Sequence, residues 1–296
     1  MENKLSAEEI AIIEKAEKAK KTLSKLGLDE ESKKEDNSSN NENNIHDTFL
    51  EIQGLPSKNY FYENTLKGQP LITSDMLLIQ TINDYNIDDR FAEIFKRRIR
   101  GVRPDEILYA EEIYIAFWLR EASLRNEPWP HDAWQCQKCD LKIPSDQAFF
   151  NYKSIKFNSN IDKIHKYYAD KGYVEFTLPD SKKTCKMYLK RRGHVKQAKN
   201  AINDNFYKHE LIPETYEEEA MELLSNIDMG YDSLIETYYE FQELSAVDFN
   251  EFIKNVNNYS FNVDTKIQLT CPSCQEVTPM MEYPFRVEIY FPSYTG

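Results

Sequence analysis

Glycine is scarce in this chain, with 8 residues in 296, and no apolar run approaches the roughly 20 residues that a membrane-spanning helix needs. The scarcity disfavours glycine-rich phosphate-binding loops, and no Gly-x-Ser-x-Gly nucleophile elbow occurs. The charged start, Met1-Glu2-Asn3-Lys4, is not typical of a secretory signal. We therefore expect a protein without a membrane span that folds in a reducing cytosol, where disulfides are rare.

Positive charge is missing from residues 210–253, which hold thirteen Asp and Glu but no Lys or Arg. The whole chain carries a net charge of -13, which disfavours nucleic acid as a partner. Two basic clusters lie elsewhere in the sequence: Arg90, Lys96, Arg97, Arg98, Arg100 and Arg103, then Lys182, Lys183, Lys186, Lys190, Arg191, Arg192, Lys196 and Lys199.

Such charge runs are usually solvated faces, but a polarised surface also suits docking onto another protein or a second copy. The candidate partner-binding residues are Glu217, Glu218, Glu219, Arg97 and Arg98. No aromatic platform for stacking bases accompanies the basic clusters.

Side chains for catalysis do not form a recognisable pattern. The five histidines, at positions 46, 131, 165, 194 and 209, lack a metal-ligand spacing, and no acidic pair is diagnostic of acid–base chemistry. Glu111 and Glu112 are most simply part of a helix surface. We therefore expect no enzymatic activity and no small-molecule substrate.

Cysteine provides the most specific signal, as two Cys-x-x-Cys pairs separated by residues 140–270. A two-residue spacer lets one tight turn aim both thiolates at a metal about 2.3 Å away. Cys136, Cys139, Cys271 and Cys274 are thus predicted to bind one structural Zn²⁺. A four-thiolate set closes the coordination sphere and leaves no position for a catalytic water.

Alternatives to this zinc site are a redox pair, free cysteines, or a set in which His131 replaces one thiolate. A redox Cys-x-x-Cys normally begins a helix within a βαβ unit, and neither pair has that setting. Cys185 stands alone in a predicted strand and reads as a small core residue.

The chain is predicted to be α+β, with a mainly helical body, short β-hairpins and a split zinc ribbon formed by the two distant knuckles. Residues 1–28 carry an N-terminal amphipathic helix, which begins at the capping box Ser6-Ala7-Glu8-Glu9, and residues 29–47 are too polar to order and form a flexible linker. The body spans 48–296. Within it the ribbon comes from 134–150 and 265–292, around an inserted, mainly helical region at 155–262. A long core helix is expected over 105–125.

Six short motifs follow one another in the body: Leu55-Pro56-Ser57-Lys58 with Phe61-Tyr62, Leu119-Arg120, the pair Cys136/Cys139, Phe176-Thr-Leu-Pro-Asp-Ser181, Cys271-Pro-Ser-Cys274 and Phe291-Pro292-Ser293. Their order resembles that of the T4-type baseplate hub proteins of tailed phages. The chain departs from the pattern at Asn59 and Gln275, where the family has glycine, and its Phe-Pro ending lacks an intervening residue. The resemblance spans roughly residues 48–294.

The resemblance implies a structural or assembly component of the central hub of a contractile tail baseplate, which acts by binding other tail and baseplate proteins. The protein would then belong to the virion baseplate or act in the host cytoplasm during assembly. Two other functions are consistent with the residues: a zinc-ribbon adaptor for nucleic acid or transcription machinery, and a hydrolase or nuclease with a structural zinc.

Overall fold

A computed structural model describes residues 48–82, 86–125, 127–209, 211–283 and 287–290, all within the unit Asn44–Gly296. The predicted N-terminal helix at 1–28 and the linker at 29–47 lie outside the described residues. No helix in the described part of the chain is long and apolar enough to cross a membrane.

Helices and short antiparallel sheets alternate along these residues, so the predicted mixture of both is confirmed. The helices are α1 Thr73–Ile79, α2 Ile87–Arg98, α3 Glu112–Ser123, α4 Ile161–Tyr168, α5 Arg192–Asn205, α6 Thr215–Leu224, α7 Leu234–Gln242 and α8 Ala246–Tyr259. The strands are β1 Leu50–Glu51, β2 Lys67–Gly68, β3 Ile99–Arg100, β4 Trp129–Pro130, β5 Trp134–Gln135, β6 Lys142–Ile143, β7 Phe149–Phe150, β8 Lys156–Ser159, β9 Tyr173–Thr177, β10 Thr184–Tyr188, β11 Ile227–Asp228, β12 Val263–Ile267 and β13 Met281–Glu282.

Three of the sheets have three strands, in the orders β1-β2-β3, β11-β10-β9 and β13-β12-β8, and two are the pairs β4-β7 and β5-β6. The β9–β10 pair is the hairpin expected from the alternating sequence, with Cys185 opposite Phe176. The β8–β12 pair sets Lys156 opposite Lys266, and therefore joins chain that follows the first cysteine pair to chain that precedes the second.

Two large apolar clusters fill the body. The first packs α1, α2 and α3 against residues from both sides of the inserted region, among them Trp129, Ile267 and Tyr290. The second packs the sheet of β9, β10 and β11 against α5 to α8 and lies wholly between the two cysteine pairs. The region inserted between the knuckles therefore has a core of its own.

The core helix expected over 105–125 begins later than predicted. Two 3₁₀ turns, Pro104–Glu106 and Tyr109–Glu111, precede α3, which starts at Glu112. Leu108 between them is extended and forms an antiparallel bridge with Arg191, while the Tyr109 N–H donates to the Lys190 carbonyl at 3.0 Å. Tertiary hydrogen bonds have here overridden the helical pattern of the sequence.

Glu111 and Glu112 are not surface residues, contrary to the expectation from the sequence. The Glu111 carboxylate is fully buried and accepts hydrogen bonds from the Ser57 N–H at 2.6 Å and from the Tyr62 hydroxyl at 2.8 Å. Glu112 pairs with Arg192, and burial raises the pKa of Glu112 to about 7. The two carboxylates therefore hold α3 to the first loop of the body and to α5.

Arg120 is a buried guanidinium that ties three separate segments together. Its Nε donates to the Ile289 carbonyl at 2.7 Å, and its Nη1 and Nη2 donate to the carbonyls of Glu127 and Pro128 at 2.9 and 3.0 Å. The guanidinium also stacks 4.5 Å above the Trp129 ring. The planar fork of arginine suits three acceptors in fixed directions, which lysine cannot match.

Replacement of Arg120 by Met should lower the free energy of unfolding by roughly 3 kcal/mol or more, because the carbonyls of Ile289, Glu127 and Pro128 all lose their donor. Arg120→Lys should fall between Met and the wild type. Denaturant unfolding measures both. The control is Arg103→Met. The Arg103 side chain is 81% exposed and pairs only with Glu106 at the surface, so its loss should lower the free energy of unfolding by less than about 0.5 kcal/mol. A loss under about 1 kcal/mol for Arg120→Met would show that this residue does not hold the segments together.

Candidate metal centre

The first knuckle is the turn of the β5–β6 hairpin, in which Trp134 lies opposite Ile143. The Cys136 N–H donates to the Leu141 carbonyl at 2.9 Å, and the Asp140 N–H donates to the Cys136 carbonyl at 3.0 Å. These bonds fold residues 136–140 into a tight turn that points both thiols to one side. Asp140, directly after the second cysteine, has a left-handed backbone with φ of 58°.

The second knuckle repeats this geometry. The Cys271 N–H donates to the Glu276 carbonyl at 2.8 Å, and the Gln275 N–H donates to the Cys271 carbonyl at 3.0 Å. Gln275 has φ of 61°, the counterpart of Asp140 in the first turn. A bridge between Thr270 and Val277 closes the base of the turn. The same five-residue turn is therefore built twice from unrelated stretches of sequence.

The two knuckles face each other and bring the four predicted cysteines into one group. Their sulfur atoms all lie within 4.8 Å of one another. The Cys136 and Cys274 Sγ atoms are 3.5 Å apart, and those of Cys139 and Cys271 are 3.6 Å apart. A tetrahedral site with metal–sulfur bonds of about 2.3 Å has sulfur–sulfur edges of about 3.8 Å. The four cysteines could therefore bind a metal ion with little rearrangement.

Backbone dipoles favour the thiolate form within this group. The N–H groups of Cys274 and Ser273 hydrogen-bond to Cys271 and hold the pKa of its thiol well below the ordinary value. Lys138 of the first knuckle pairs with Glu276 of the second at 3.0 Å, and this contact raises the lysine pKa. Several thiolates at such short separations repel each other unless a cation lies between them, which is the electrostatic requirement that a bound metal satisfies.

Burial differs between the two sulfurs of each pair. Cys136 and Cys271 are buried, whereas Cys139 is exposed and Cys274 is partly exposed. The inner cysteines lie near the core, since the second knuckle follows β12 and its neighbour Leu269 exchanges hydrogen bonds of 2.9 Å with Thr278. The site therefore lies at the edge of the body, with the first cysteine of each knuckle buried and the second closer to solvent.

The remaining candidate ligands lie elsewhere. His131 contacts the rings of Phe150 and Tyr283, and its Nδ1 lies 2.8 Å from the Asp132 carbonyl oxygen. Cys185 is buried in the core of the inserted region, where burial raises the pKa of its thiol to about 11. Among the residues that the structure describes, the four knuckle cysteines are the group of His, Cys, Asp and Glu side chains that could hold a metal ion.

The candidate partner-binding residues divide between surface and interior. Glu219 is exposed on α6, and Glu218 is partly exposed and bonded to the Tyr207 hydroxyl at 3.1 Å. Glu217 has an internal role, because it accepts from the Glu214 N–H at 2.8 Å and from the Tyr238 hydroxyl at 3.2 Å. A charge change at Glu217 would disturb the start of α6 itself.

The two arginines of α2 also differ. Arg98 is buried, and its guanidinium donates to Asp75 at 2.5 Å and to Gln69 at 2.9 Å, so it offers little surface to a partner. Arg97 is 42% exposed but already pairs with Glu93 on the same helix. The helical periodicity of the sequence could not predict which of the two arginines is buried, because the partners of Arg98, Asp75 and Gln69, lie more than 20 residues away in the sequence.

The loop Leu55 to Tyr62 contains contacts that the sequence did not reveal. Lys58 and Asn59 both have left-handed backbones, with φ of 53° and 58°. Asn59 is the position at which the resembled family has glycine, and asparagine tolerates this conformation better than most residues. The Tyr62 hydroxyl accepts from the Leu108 N–H at 3.0 Å while it donates to Glu111. The motif therefore forms a buried junction between the loop and the start of α3.

No protein-family model matches this chain, and no match was found among the curated proteins or the solved structures.

The left-handed backbone of Gln275 predicts that glycine at this position stabilises the protein. Gln275→Gly should raise the free energy of unfolding by about 0.5–1 kcal/mol, because a Cβ is disfavoured at this φ and glycine has none. Gln275→Ala, which keeps the Cβ, is the matched control and should bring no gain. Denaturant unfolding of the metal-loaded protein measures the effect. Equal stability of the glycine and alanine variants would show that the backbone at this position carries no strain.

Proposed function

We propose that Cys136, Cys139, Cys271 and Cys274 hold one structural Zn²⁺ in a split zinc ribbon. The donor set supports zinc, because four thiolates at tetrahedral distances are typical of structural zinc sites. All four coordination positions are then filled by the protein, and no position is left for a substrate or a catalytic water. The ion holds the two knuckles together.

We further propose that the chain is a structural or assembly component of the central hub of a contractile phage tail baseplate. The observation that carries this proposal is the position of the motifs that resemble the hub family. Ser57 and Tyr62 of the first motif bind Glu111, Arg120 of the second binds Ile289, and the two cysteine pairs meet. Residues of these motifs thus make long-range contacts within the body, and this supports the proposal.

Protein–protein binding is the mode of action that this proposal assigns, either in the virion baseplate or in the host cytoplasm during assembly. A nucleic-acid adaptor is less well supported, because Lys138 at the knuckles is paired with Glu276, and the turn residue Asp140 adds a further acid. A basic surface next to the zinc would be needed to attract phosphates.

Metal analysis tests the zinc site. Protein purified without added metal should contain about one zinc per chain, and Cys271→Ser should lose zinc and unfold at much lower denaturant, since a four-thiolate site is worth on the order of 10 kcal/mol. Cys185→Ala is the control: it creates a small cavity but should keep its zinc. Zinc below about 0.2 per chain, with all four knuckle thiols reactive in the folded protein, would contradict the site.

Co-purification tests the hub assignment. The tagged chain, expressed from the phage genome and isolated from infected cells before lysis, should bring down baseplate hub or wedge proteins identified by mass spectrometry. Cys271→Ser should recover less of them in proportion to its loss of folded protein. Recovery of transcription or replication proteins in place of tail proteins would support the adaptor function instead.

A further inference from the structure

The sulfur atoms of the two knuckles contact each other across the site. The Cys136 Sγ lies 3.5 Å from the Cys274 Sγ, and the Cys139 Sγ lies 3.6 Å from the Cys271 Sγ. A disulfide has a sulfur–sulfur bond of about 2.05 Å, so each sulfur would have to move by only about 0.75 Å toward its neighbour. Both of these pairs run from one knuckle to the other.

Contacts other than those of the sulfurs also hold the knuckles face to face. The Lys138 ammonium of the first knuckle pairs with Glu276 of the second at 3.0 Å. The backbone N–H groups of Ser273 and Cys274 hydrogen-bond to the Cys271 sulfur and fix its direction. The β8–β12 ladder joins the chain that follows the first knuckle to the chain that precedes the second. The protein therefore keeps the two sulfur pairs close together by its own contacts.

Each of these pairs combines one outer sulfur with one inner sulfur. Cys139 is exposed and Cys274 is partly exposed, whereas their neighbours Cys271 and Cys136 are buried. A dissolved oxidant reaches the outer sulfur first, and the inner sulfur is then in position to attack the oxidised one. Oxidation of cysteine to a disulfide by way of a sulfenic acid needs such an accessible thiolate and a resolving neighbour.

We infer that hydrogen peroxide oxidises the four cysteines to two cross-knuckle disulfides, Cys136–Cys274 and Cys139–Cys271, so that the knuckles stay joined without a metal. The inference rests on the proposed function only in that zinc holds the four thiolates beforehand. The site then has a form for reducing surroundings and a form for oxidising ones. A baseplate component passes from one to the other when lysis releases it from the host cytosol.

The oxidation of one pair takes two steps. The Cys139 thiolate attacks one oxygen of hydrogen peroxide, the O–O bond breaks, and protonation of the leaving hydroxide gives water and a sulfenic acid. The Cys271 thiolate then attacks the Cys139 sulfur, the S–O bond breaks, and a second proton gives a second water with the disulfide. Two thiolates, one peroxide and two protons thus give one disulfide and two waters.

The second pair reacts in the same way after the zinc has lost its hold. A sulfenic acid is a poorer ligand than a thiolate, because metal binding by cysteine requires the charged sulfur. Oxidation of Cys139 therefore opens the coordination sphere and frees Cys274, which reacts with a second peroxide and is resolved by Cys136. Zn²⁺ leaves without a change in its own oxidation state.

Loop length favours the cross-knuckle pairing over bonds within a knuckle. The paired cysteines are 138 and 132 residues apart in the sequence. A cross-link between such distant residues removes much entropy from the unfolded chain, whereas a link within a Cys-x-x-Cys turn removes little. The folded protein, which already holds the distant pairs in contact, is thus stabilised by the cross-knuckle bonds alone to a measurable extent.

Peptide mapping tests the pairing on full-length, zinc-loaded protein that carries Cys185→Ala, which removes the fifth thiol and keeps the four knuckle cysteines. The protein is treated with hydrogen peroxide, blocked with iodoacetamide, digested with trypsin and analysed by mass spectrometry without reduction. Trypsin cleaves after Lys138 and so separates Cys136 from Cys139. Cross-knuckle pairing predicts one adduct of the three peptides 126–138, 139–142 and 267–286. An adduct of 126–138 with 139–142 alone, or no disulfide at all, would overturn the inference.

A single substitution distinguishes the two ways of pairing across the knuckles. In Cys274→Ser, on the same Cys185→Ala background, Cys139 should still pair with Cys271 and join peptide 139–142 to 267–286. Peptide 126–138 should then carry the iodoacetamide label on Cys136. A link between 126–138 and 267–286 would show that the assigned pairing is wrong, and the adduct from the protein with all four cysteines keeps the test decisive if this variant does not fold.

Denaturant unfolding measures what the disulfides do for the fold. The oxidised, zinc-free protein should unfold at a higher denaturant concentration than protein stripped of zinc by a chelator under reducing conditions. Dithiothreitol should abolish this difference. Equal midpoints for the oxidised and the reduced zinc-free protein would show that the disulfides do not join the knuckles, and would overturn the inference.

Zinc content before oxidation separates this inference from the proposed zinc site. A chromophoric chelator should detect release of one zinc per chain as the three-peptide adduct forms. If the purified protein holds no zinc but forms this adduct, the zinc proposal fails and the disulfide pairing stands. If it holds zinc but oxidises within each knuckle, the zinc site stands and the inference fails.

Discussion

The meeting of the two knuckles is the constraint on which the rest of the structure depends. About 130 residues separate the cysteine pairs, and closing a flexible loop of that length costs on the order of 4 kcal/mol or more in entropy. Two features of the fold offset this cost. The β8–β12 ladder brings the ends of the insertion together, and the inserted region has its own apolar core. A metal needs only to join two turns that these contacts already hold close to each other.

Buried charge performs a similar function in the rest of the body. Arg120 binds carbonyls from two places, Glu127–Pro128 and Ile289, and Glu111 and Glu112 bind the first loop and α5. Each group would be costly to bury alone, and each has a partner far away in the sequence. A misfolded arrangement would leave these charges unpaired, so the polar contacts select one topology while the apolar clusters supply most of the stabilisation.

Sequence patterns predicted the cysteine site well because its chemistry is local. A two-residue spacer favours a turn that aims both thiols to one side, and two such pairs are typical of one metal site. Asp140 and Gln275 occupy equivalent positions after the second cysteine of each pair, and both adopt the left-handed conformation. The strand hairpin at β9–β10 was predictable for the same reason, since alternation and a turn lie within a few residues of each other.

Long-range partners account for what the sequence could not predict. The segment before α3 has a helical apolar pattern, yet Leu108 is extended because its N–H donates to the Tyr62 hydroxyl and its neighbours Ile107 and Tyr109 hydrogen-bond to Arg192 and Lys190. Arg98 and Glu217 look like surface charges and are held by Asp75 and Tyr238. The pattern of charged residues in a sequence therefore overestimates how many of them are free to bind a partner. On α6 and α7 the structure was needed to separate acids that are paired within the chain, such as Glu222 with Lys190 and Glu240 with Lys183, from acids that are not.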